Sequence, residues 1–201
     1  MAKIKLTKSE LKSQRDSMKQ FKRYLPTLQL KKQQLQMELR DCDIRLRANE
    51  AREQEVRKHL SSWISLFGTA GTVEQLTGIV TLEGIDTEKA NIAGVAVPVF
   101  KDARFLIEEY NLFSNELWID DAVEAIKNVI AIKAEHQVIK EQRVLIEKEL
   151  RTTTQRVNLF EKVKIPECKA NIRIIQIYLG DQQTAAVGRS KIAKRKMEEV
   201  A

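Results

Sequence analysis

Apolar residues recur with a spacing of three and four along the first third of the chain. Two rows of every seventh residue, one from Leu11 and one from Gln14, hold thirteen apolar residues among the seventeen positions that end at Phe67. The residues between the rows are mostly charged or amide-bearing. A 3.5-residue repeat is typical of a coiled-coil helix, and such a helix measures about 85 Å at 1.5 Å per residue. So long and narrow a stripe requires a partner helix of similar length.

A second pair of heptad rows begins at Trp118 and Ala122, and ten of its thirteen positions are apolar. Two such helices joined by fifty residues predict an antiparallel coiled coil over about 5–67 and 118–179. If Phe67 packs against Trp118, facing residue numbers sum to 185 and every seam position faces another. Trp63 then faces Ala122.

Prolines and glycines mark the predicted interruptions of these helices. We expect Pro26 to kink the first helix without ending it. Pro166 is expected to break or kink the second helix, which Gly180 then ends. Gly68 and Gly71 are expected to end the first. Thr7 or Ser9 is the predicted N-cap.

The fifty residues between the helices differ from them in composition, because they hold five of the seven glycines. Residues 79–82 and 92–99 are rich in strand-forming side chains, and residues 84–87 have turn chemistry between them. We therefore predict a β-hairpin with its turn at 84–87. Residues 101–117 are interpreted as a loop with one helical turn near 105–110.

The predicted fold class is mainly α, with two long antiparallel helices forming a coiled-coil hairpin and a small β-hairpin in the middle insertion. We predict one structural unit with four parts. They are an N-terminal coiled-coil helix at 1–67, a middle segment with the β-hairpin at 68–117, a C-terminal coiled-coil helix at 118–180 and a basic tail at 181–201.

Charge is distributed unevenly along this predicted hairpin. Residues 1–32 have a net charge of +8, residues 153–184 of +2 and residues 189–201 of +3, whereas residues 68–117 have a net charge of −5. The two termini meet at one end of an antiparallel pair, so that end is basic and the other mildly acidic. Unlike ends indicate a protein that joins two different partners.

No catalytic constellation accompanies this pattern. The run Gly68-Thr69-Ala70-Gly71-Thr72 lacks the Gly-Lys-Ser/Thr ending of a phosphate loop. His59 and His136 have no ligand four residues on, so we expect no metal site. With only two cysteines and no signal peptide, we expect a reducing cytoplasm and no disulfide. No stretch is apolar enough to cross a membrane.

Two alternatives stay open from the residues alone. The basic end suits phosphate contacts, but it has few aromatic residues and no nucleic-acid-reading motif, so an acidic protein surface is at least as natural a partner. Asn49 and His136, which face each other in the predicted register, either form a buried polar pair that fixes alignment or point sideways into water.

Several short motifs resemble one family. They are Gly94-Val95-Ala96-Val97-Pro98, the run from Trp118 to Ala125, Arg156-Val157-Asn158 with Glu161 and Ile165-Pro166, and Lys191-Ile192 in the tail. Together they resemble the D subunit of the vacuolar and archaeal type rotary ATPases, over nearly the whole chain.

The resemblance implies a non-catalytic central rotor shaft that couples ATP hydrolysis or synthesis to ion translocation through the membrane ring. It implies as partners the catalytic A and B subunits, the small F subunit of the stalk and the funnel-shaped subunit on the rotor ring, with no cofactor, no direct nucleotide and no membrane insertion. The chain is then cytoplasmic and peripheral to the membrane. The competing interpretation is a free-standing coiled-coil adaptor or nucleic-acid-binding rod.

Two sets of residues are predicted to bind these partners. For the catalytic hexamer they are exposed polar residues of the basic end: Lys5, Lys8, Lys12, Arg15, Lys19, Arg156, Asn158 and Arg173. For the stalk they are apolar residues of the β-hairpin: Ile79, Val80, Val95 and Val97.

Overall fold

A computed structural model of the chain describes residues 4–61, 79–107 and 119–200, except the side chain of Val200. The elements in chain order are α1 (Lys8–Ser61), β1 (Val80–Ile92), β2 (Val95–Ile107), α2 (Ile119–Asn158), a π-helical segment (Leu159–Lys164) and α3 (Ile165–Val200). This arrangement confirms the predicted fold class. The predicted helix ends at Gly68 and Gly71, the pairing of Phe67 with Trp118 and the contact of Trp63 with Ala122 lie outside the described residues.

Helix α1 begins where Thr7 caps it. The Thr7 hydroxyl accepts a hydrogen bond from the backbone N–H of Glu10 at 3.2 Å, and the Thr7 carbonyl accepts one from Leu11 at 3.0 Å. The first contact satisfies one of the N–H groups that a helix start leaves without partners, and the second is the first backbone bond of the helix itself. The helix then continues through Pro26 for 54 residues in all, so the prediction that Pro26 does not end it is confirmed.

The β-hairpin is longer than the sequence predicted, and its turn lies elsewhere. Strands β1 and β2 have 13 residues each and pair from Val80 with Ile107 to Ile92 with Val95. Ala93 and Gly94 form the turn with φ angles of 51° and 80°, as a two-residue type I′ connection requires.

The predicted turn at 84–87 is wrong, as is the predicted loop over 101–107, which belongs to β2. Gly84 and Thr87 lie inside β1, where the ladder shifts register between Leu82 and Gly84 and again between Asp86 and Thr87. Residues of turn-forming type therefore mark irregularities of a strand here, as bulges often do. Residues 108–117 lie outside the described part.

The second long helical stretch is interrupted just before Pro166, where an interruption is predicted, and continues past Gly180, where its end is predicted. Pro166 follows the π-helical segment, in which the Ile165 N–H donates to the carbonyl of Phe160, five residues back. The wider turn accommodates a proline that cannot donate to the carbonyl four residues before it. The predicted end at Gly180 is wrong, because α3 continues to Val200; one glycine costs a helix only about 1 kcal/mol.

The described residues form two compact units, and α1 contributes to both. The middle unit is Gln33–Arg151. Its core is made of seam residues of α1 and α2 together with Val97 from the hairpin, namely Leu35, Cys42, Val97, Ile139 and Ile146. Both helices and the hairpin are therefore part of one hydrophobic core.

The terminal unit is Met1–Lys32 with Thr152–Ala201. Its buried apolar residues follow the seam: Val157, Cys168 and Ile175. The rings of Phe21 on α1 and Phe160 in the π-helical segment pack with centroids 5.0 Å apart. Beyond Gly180, every residue of α3 whose burial is described is exposed.

Side-chain contacts within each unit agree with the predicted register. In the middle unit Arg143 bonds to Asp43 and Asn49 to Glu135, so the paired numbers sum to 186 and 184. In the terminal unit Asn171 contacts Gln14 at 3.5 Å, which gives 185. A register displaced by a heptad changes these sums by seven.

Candidate partner-binding surfaces

The cations predicted to bind the catalytic hexamer all lie in the terminal unit and are exposed. Lys8, Lys12, Arg15 and Lys19 follow one another at spacings of four and three residues, so they share one flank of α1. None of these four, nor Lys5 before the helix, has an ion-pair partner among the residues that the structure describes. The flank therefore presents positive charge that no described side chain of this chain neutralises.

Three further predicted residues lie near or beyond the π-helical segment. Arg156 and Asn158 occupy the last turn of α2, and Arg173 lies in α3. All three are exposed, and the Asn158 side chain makes no capping hydrogen bond. Like the lysines, Arg156 and Arg173 have no ion pair within the described ranges.

A cleft of about 920 Å³ lies in the same unit, between the start of α1 and the first turns of α3. Ile4, Val163 and Ile174 give it apolar walls, and Lys5 also lines it. Such a cleft can accept an apolar side chain beside a cation. No sequence pattern signals this cleft, because it depends on how the residues before α1 pack.

The apolar residues predicted to bind the stalk are engaged in the middle unit's own packing. Val97 is 1% exposed and lies in the main core, and Ile79 is 9% exposed and packs with Ile119 and Val123. Val80 and Val95 are half-buried against these clusters. A partner contact by these four residues stays a prediction, while their internal contacts hold the hairpin to the helices.

Gln142 has a structural role that the heptad pattern does not predict. Its buried amide donates a hydrogen bond to the Pro98 carbonyl, which ties α2 to β2. The sequence signal for this role is a second row of residues beside the seam, all of them buried in the structure. The row consists of Ala134, Val138 and Gln142, spaced four residues apart. A stripe wider than a two-helix seam indicates a third packed element.

Ion pairs join different elements of the middle unit. Arg143 on α2 bonds to Asp43 on α1 at 2.7 Å, and Arg52 bonds to Glu135 at 3.3 Å. The hydrogen bond and charge of Asp43 raise the pKa of the Arg143 guanidinium. On the hairpin, Arg104 of β2 pairs with Asp86 of β1 at 3.0 Å.

The predicted polar layer of Asn49 and His136 is built differently from a direct pair. Asn49 is 1% exposed and donates to Glu135 at 2.9 Å, while His136 lies 4.0 Å from Glu50. The Asn49 Oδ1 and His136 Nδ1 atoms are buried with no hydrogen-bond partner among the described residues. Asn49 is thus inside the helix pair rather than in water, and it is held by a carboxylate.

Within the described ranges no group of three His, Cys, Asp or Glu side chains is arranged to hold a metal ion. No helix in those ranges is long and apolar enough to span a membrane. Cys42 and Cys168 are free thiols, and burial raises the pKa of each.

The fold defines a helical-hairpin protein in which the paired helices pack against a β-hairpin. Its terminal unit exposes cations that have no ion pair in the described part of the chain. A family model for the D subunit of ATP synthase matches residues 10–195. The chain therefore belongs to the family of ATP synthase D subunits.

Individual relatives agree with this assignment. The D subunit of the V-type ATP synthase of Borreliella burgdorferi is 48% identical over 96% of this chain and 95% of its own length. The protein of the same name from Chlamydia trachomatis serovar L2 is 32% identical over 98% of this chain and 97% of its own. That of Chlamydia pneumoniae is 31% identical over 97% and 93%.

Proposed function

We propose that this chain is the central rotor shaft of a V/A-type ATPase or ATP synthase. In this role it couples ATP hydrolysis or synthesis in a hexamer of catalytic A and B subunits to ion translocation through a membrane ring. The observation that carries the proposal is the set of seven exposed cations in the terminal unit that have no ion pair among the described residues. The family assignment supports the same role.

The chemistry of these cations suits a surface that turns against its partner. Exposed ion pairs are worth about 0–1 kcal/mol each, so contacts can be exchanged from one catalytic subunit to the next. An apolar interface of similar extent traps a shaft at one angle. Several cations acting together still bias which catalytic site opens.

The middle unit is proposed to meet the stalk partners, the small F subunit and the funnel-shaped subunit on the rotor ring. The chain itself is non-catalytic, takes no cofactor and acts in the cytoplasm at the membrane periphery as part of the complex. The lack of a phosphate-loop motif supports the absence of a nucleotide site.

A reversible cross-link tests whether the terminal unit turns inside the hexamer. A Lys12→Cys thiol is coupled through maleimide to a photoreactive group on a cleavable linker, and the assembled complex is then irradiated. The native thiols are buried with raised pKa values, so the reagent reaches the engineered position first. We expect ATP turnover to stop on cross-linking to a catalytic subunit and to return when the linker is cleaved.

Two controls make the result decisive. The same complex kept in the dark reports any effect of the substitution itself, and the purified chain titrated with duplex DNA at physiological salt tests the nucleic-acid alternative. Full turnover with the cross-link in place contradicts the shaft role. Tight, salt-sensitive DNA binding together with no assembly favours the competing interpretation.

A further inference from the structure

The outer face of α1 in the middle unit carries apolar residues that no part of the described chain covers. Met37 and Ile44 are 63% and 62% exposed. They are seven residues apart, at the heptad position opposite the seam, where a two-helix coiled coil normally has charged or amide side chains. Ala48 and Ala51 are also exposed and extend the stripe to about four turns.

This stripe has the geometry of a coiled-coil seam rather than of scattered surface residues. Met37, Ile44, Ala48 and Ala51 follow one another at spacings of seven, four and three. These spacings put all four side chains on one narrow line along the helix. The line is a second seam on α1, and a second seam fits a further helix.

Charge indicates what kind of helix fits. Arg40 and Arg47 flank the stripe on one side, again seven residues apart, and both are exposed. Neither has an ion-pair partner among the residues that the structure describes, whereas Arg52 on the same helix pairs with Glu135. Asp41, seven residues before Ala48, occupies a position of the stripe itself between Met37 and Ile44 and is exposed. The two arginines are therefore placed to receive carboxylates from a helix that covers Met37 and Ile44.

We propose that the outer face of α1 from Met37 to Ala51 is a docking site for an amphipathic helix of another protein. That helix has an apolar heptad stripe and carries Asp or Glu on the flank that meets Arg40 and Arg47. A second copy of this chain is a poor occupant, because its own Arg40 and Arg47 bring like charges to the same contact. The site lies within the middle unit and does not depend on rotation.

A synthetic amphipathic helix tests the proposal against the full chain. The probe is a labelled peptide of about three heptads with Leu and Ile in the stripe and Glu on the flanks, and the control peptide has Lys in place of Glu. Binding is followed by fluorescence anisotropy at low and high salt. We expect the acidic peptide to bind, more weakly as salt rises, and the basic peptide not to bind.

Chain variants locate the bound peptide. Met37→Gln with Ile44→Gln is expected to weaken binding about tenfold or more, because the contact loses its apolar anchors. Arg40→Gln with Arg47→Gln is expected to weaken it several-fold at low salt and to remove most of the salt dependence. The matched control is Val144→Gln with Leu145→Gln, an exposed apolar pair on α2, which should leave binding unchanged.

Several outcomes overturn the proposal. One is equal binding of both peptides, or binding of neither. Another is binding that survives the Met37 and Ile44 substitutions while circular dichroism shows the variant folded. If sedimentation reveals a dimer of this chain that the same substitutions dissociate, then this face binds a second copy of the chain instead.

Discussion

In the middle unit, arginines join one element to another. In the terminal unit, the seven cations predicted to bind the hexamer lie exposed without an ion pair in the described part. Arg143 and Arg52 connect α2 with α1, and Arg104 connects the two strands. Within the terminal unit, Lys164 pairs with Glu167 and Arg195 with Glu199, three and four residues along the same helical stretch.

Overall charge follows the same division. The terminal unit has twenty basic and seven acidic residues, a net +13, and the middle unit has fifteen and twenty-one, a net −6. A charge held in a structural pair serves the fold, while a charge without one is available to a partner at little cost to the fold. The two units can therefore be probed independently, by substituting charges in the terminal unit and core residues in the middle unit.

Core packing of the hairpin should show the largest effect. Val97→Asp places a carboxylate among Leu35, Cys42 and Ile146 and is expected to lower the free energy of unfolding by about 3 kcal/mol. Ala96→Asp, one residue away on the exposed face, should cost less than about 0.5 kcal/mol. Urea unfolding measures both. Equal loss in the two variants contradicts the packing of Val97 against the helices.

Neutralising the terminal cations should affect assembly but not folding. The quadruple change of Lys8, Lys12, Arg15 and Lys19 to Gln is expected to weaken binding to the catalytic hexamer about tenfold or more, mostly at low salt.

The matched control changes four exposed lysines of the middle unit to Gln: Lys58, Lys89, Lys101 and Lys140. It should assemble as the wild type does. Circular dichroism shows whether each variant is folded. An unfolded quadruple variant means that the terminal cations serve the fold, and equal assembly of both variants removes their electrostatic role.

The two cysteines report on the two units separately. Cys42 in the middle unit is 0% exposed and Cys168 in the terminal unit 6%, and burial raises the pKa of both thiols. In single Cys→Ser variants we expect N-ethylmaleimide to modify Cys168 several-fold faster than Cys42, and both far more slowly than in urea, since the thiolate is the reactive form. Native rates that match those in urea contradict their burial.

A small pH effect should come from one intrahelical pair of the middle unit. Hydrogen bonds from Arg57 hold the pKa of Glu53 below its usual value near 4.5. Because the folded-state pKa is the lower one, the pair contributes stability above pH 4.5 that is lost as pH falls through the folded pKa. Glu53→Gln should flatten this part of the stability–pH curve, measured by thermal unfolding. Glu55→Gln, two residues away, serves as the control, and an identical change in both variants removes the assignment.

Heptad patterning predicted much of this fold, and the failures have physical causes. The two heptad seams predicted both helices and the register in which they pair, because a 3.5-residue apolar repeat has few alternative pairings. The turn was misplaced because Gly84 and Asp86 have turn chemistry, yet their neighbours pair across a ladder with two register shifts. Ala93 and Gly94 carry the positive φ angles, and alanine there gives no sequence signal of that conformation.

The sequence predicted which cations are exposed but not which residues of the hairpin are buried. Exposed cations such as Lys12 were found because their flank lies outside the seam. The burial of Val97 was not, because it depends on the hairpin lying against the helices. The role of Gln142 was hidden for the same reason.

The π-helical segment has a consequence for helical phase. Buried residues of α2 and α3 recur seven apart from Ile146 to Thr153, and again from Cys168 to Ile175, yet Thr153 and Cys168 are fifteen apart. Fifteen is two heptads and one residue, and a π turn holds one residue more than an α turn. Deleting a residue such as Val163 would restore a regular α-helix and rotate everything after it by about 100°. Cys168 and Ile175 would then leave the seam, so the wide turn keeps α3 in phase with α1.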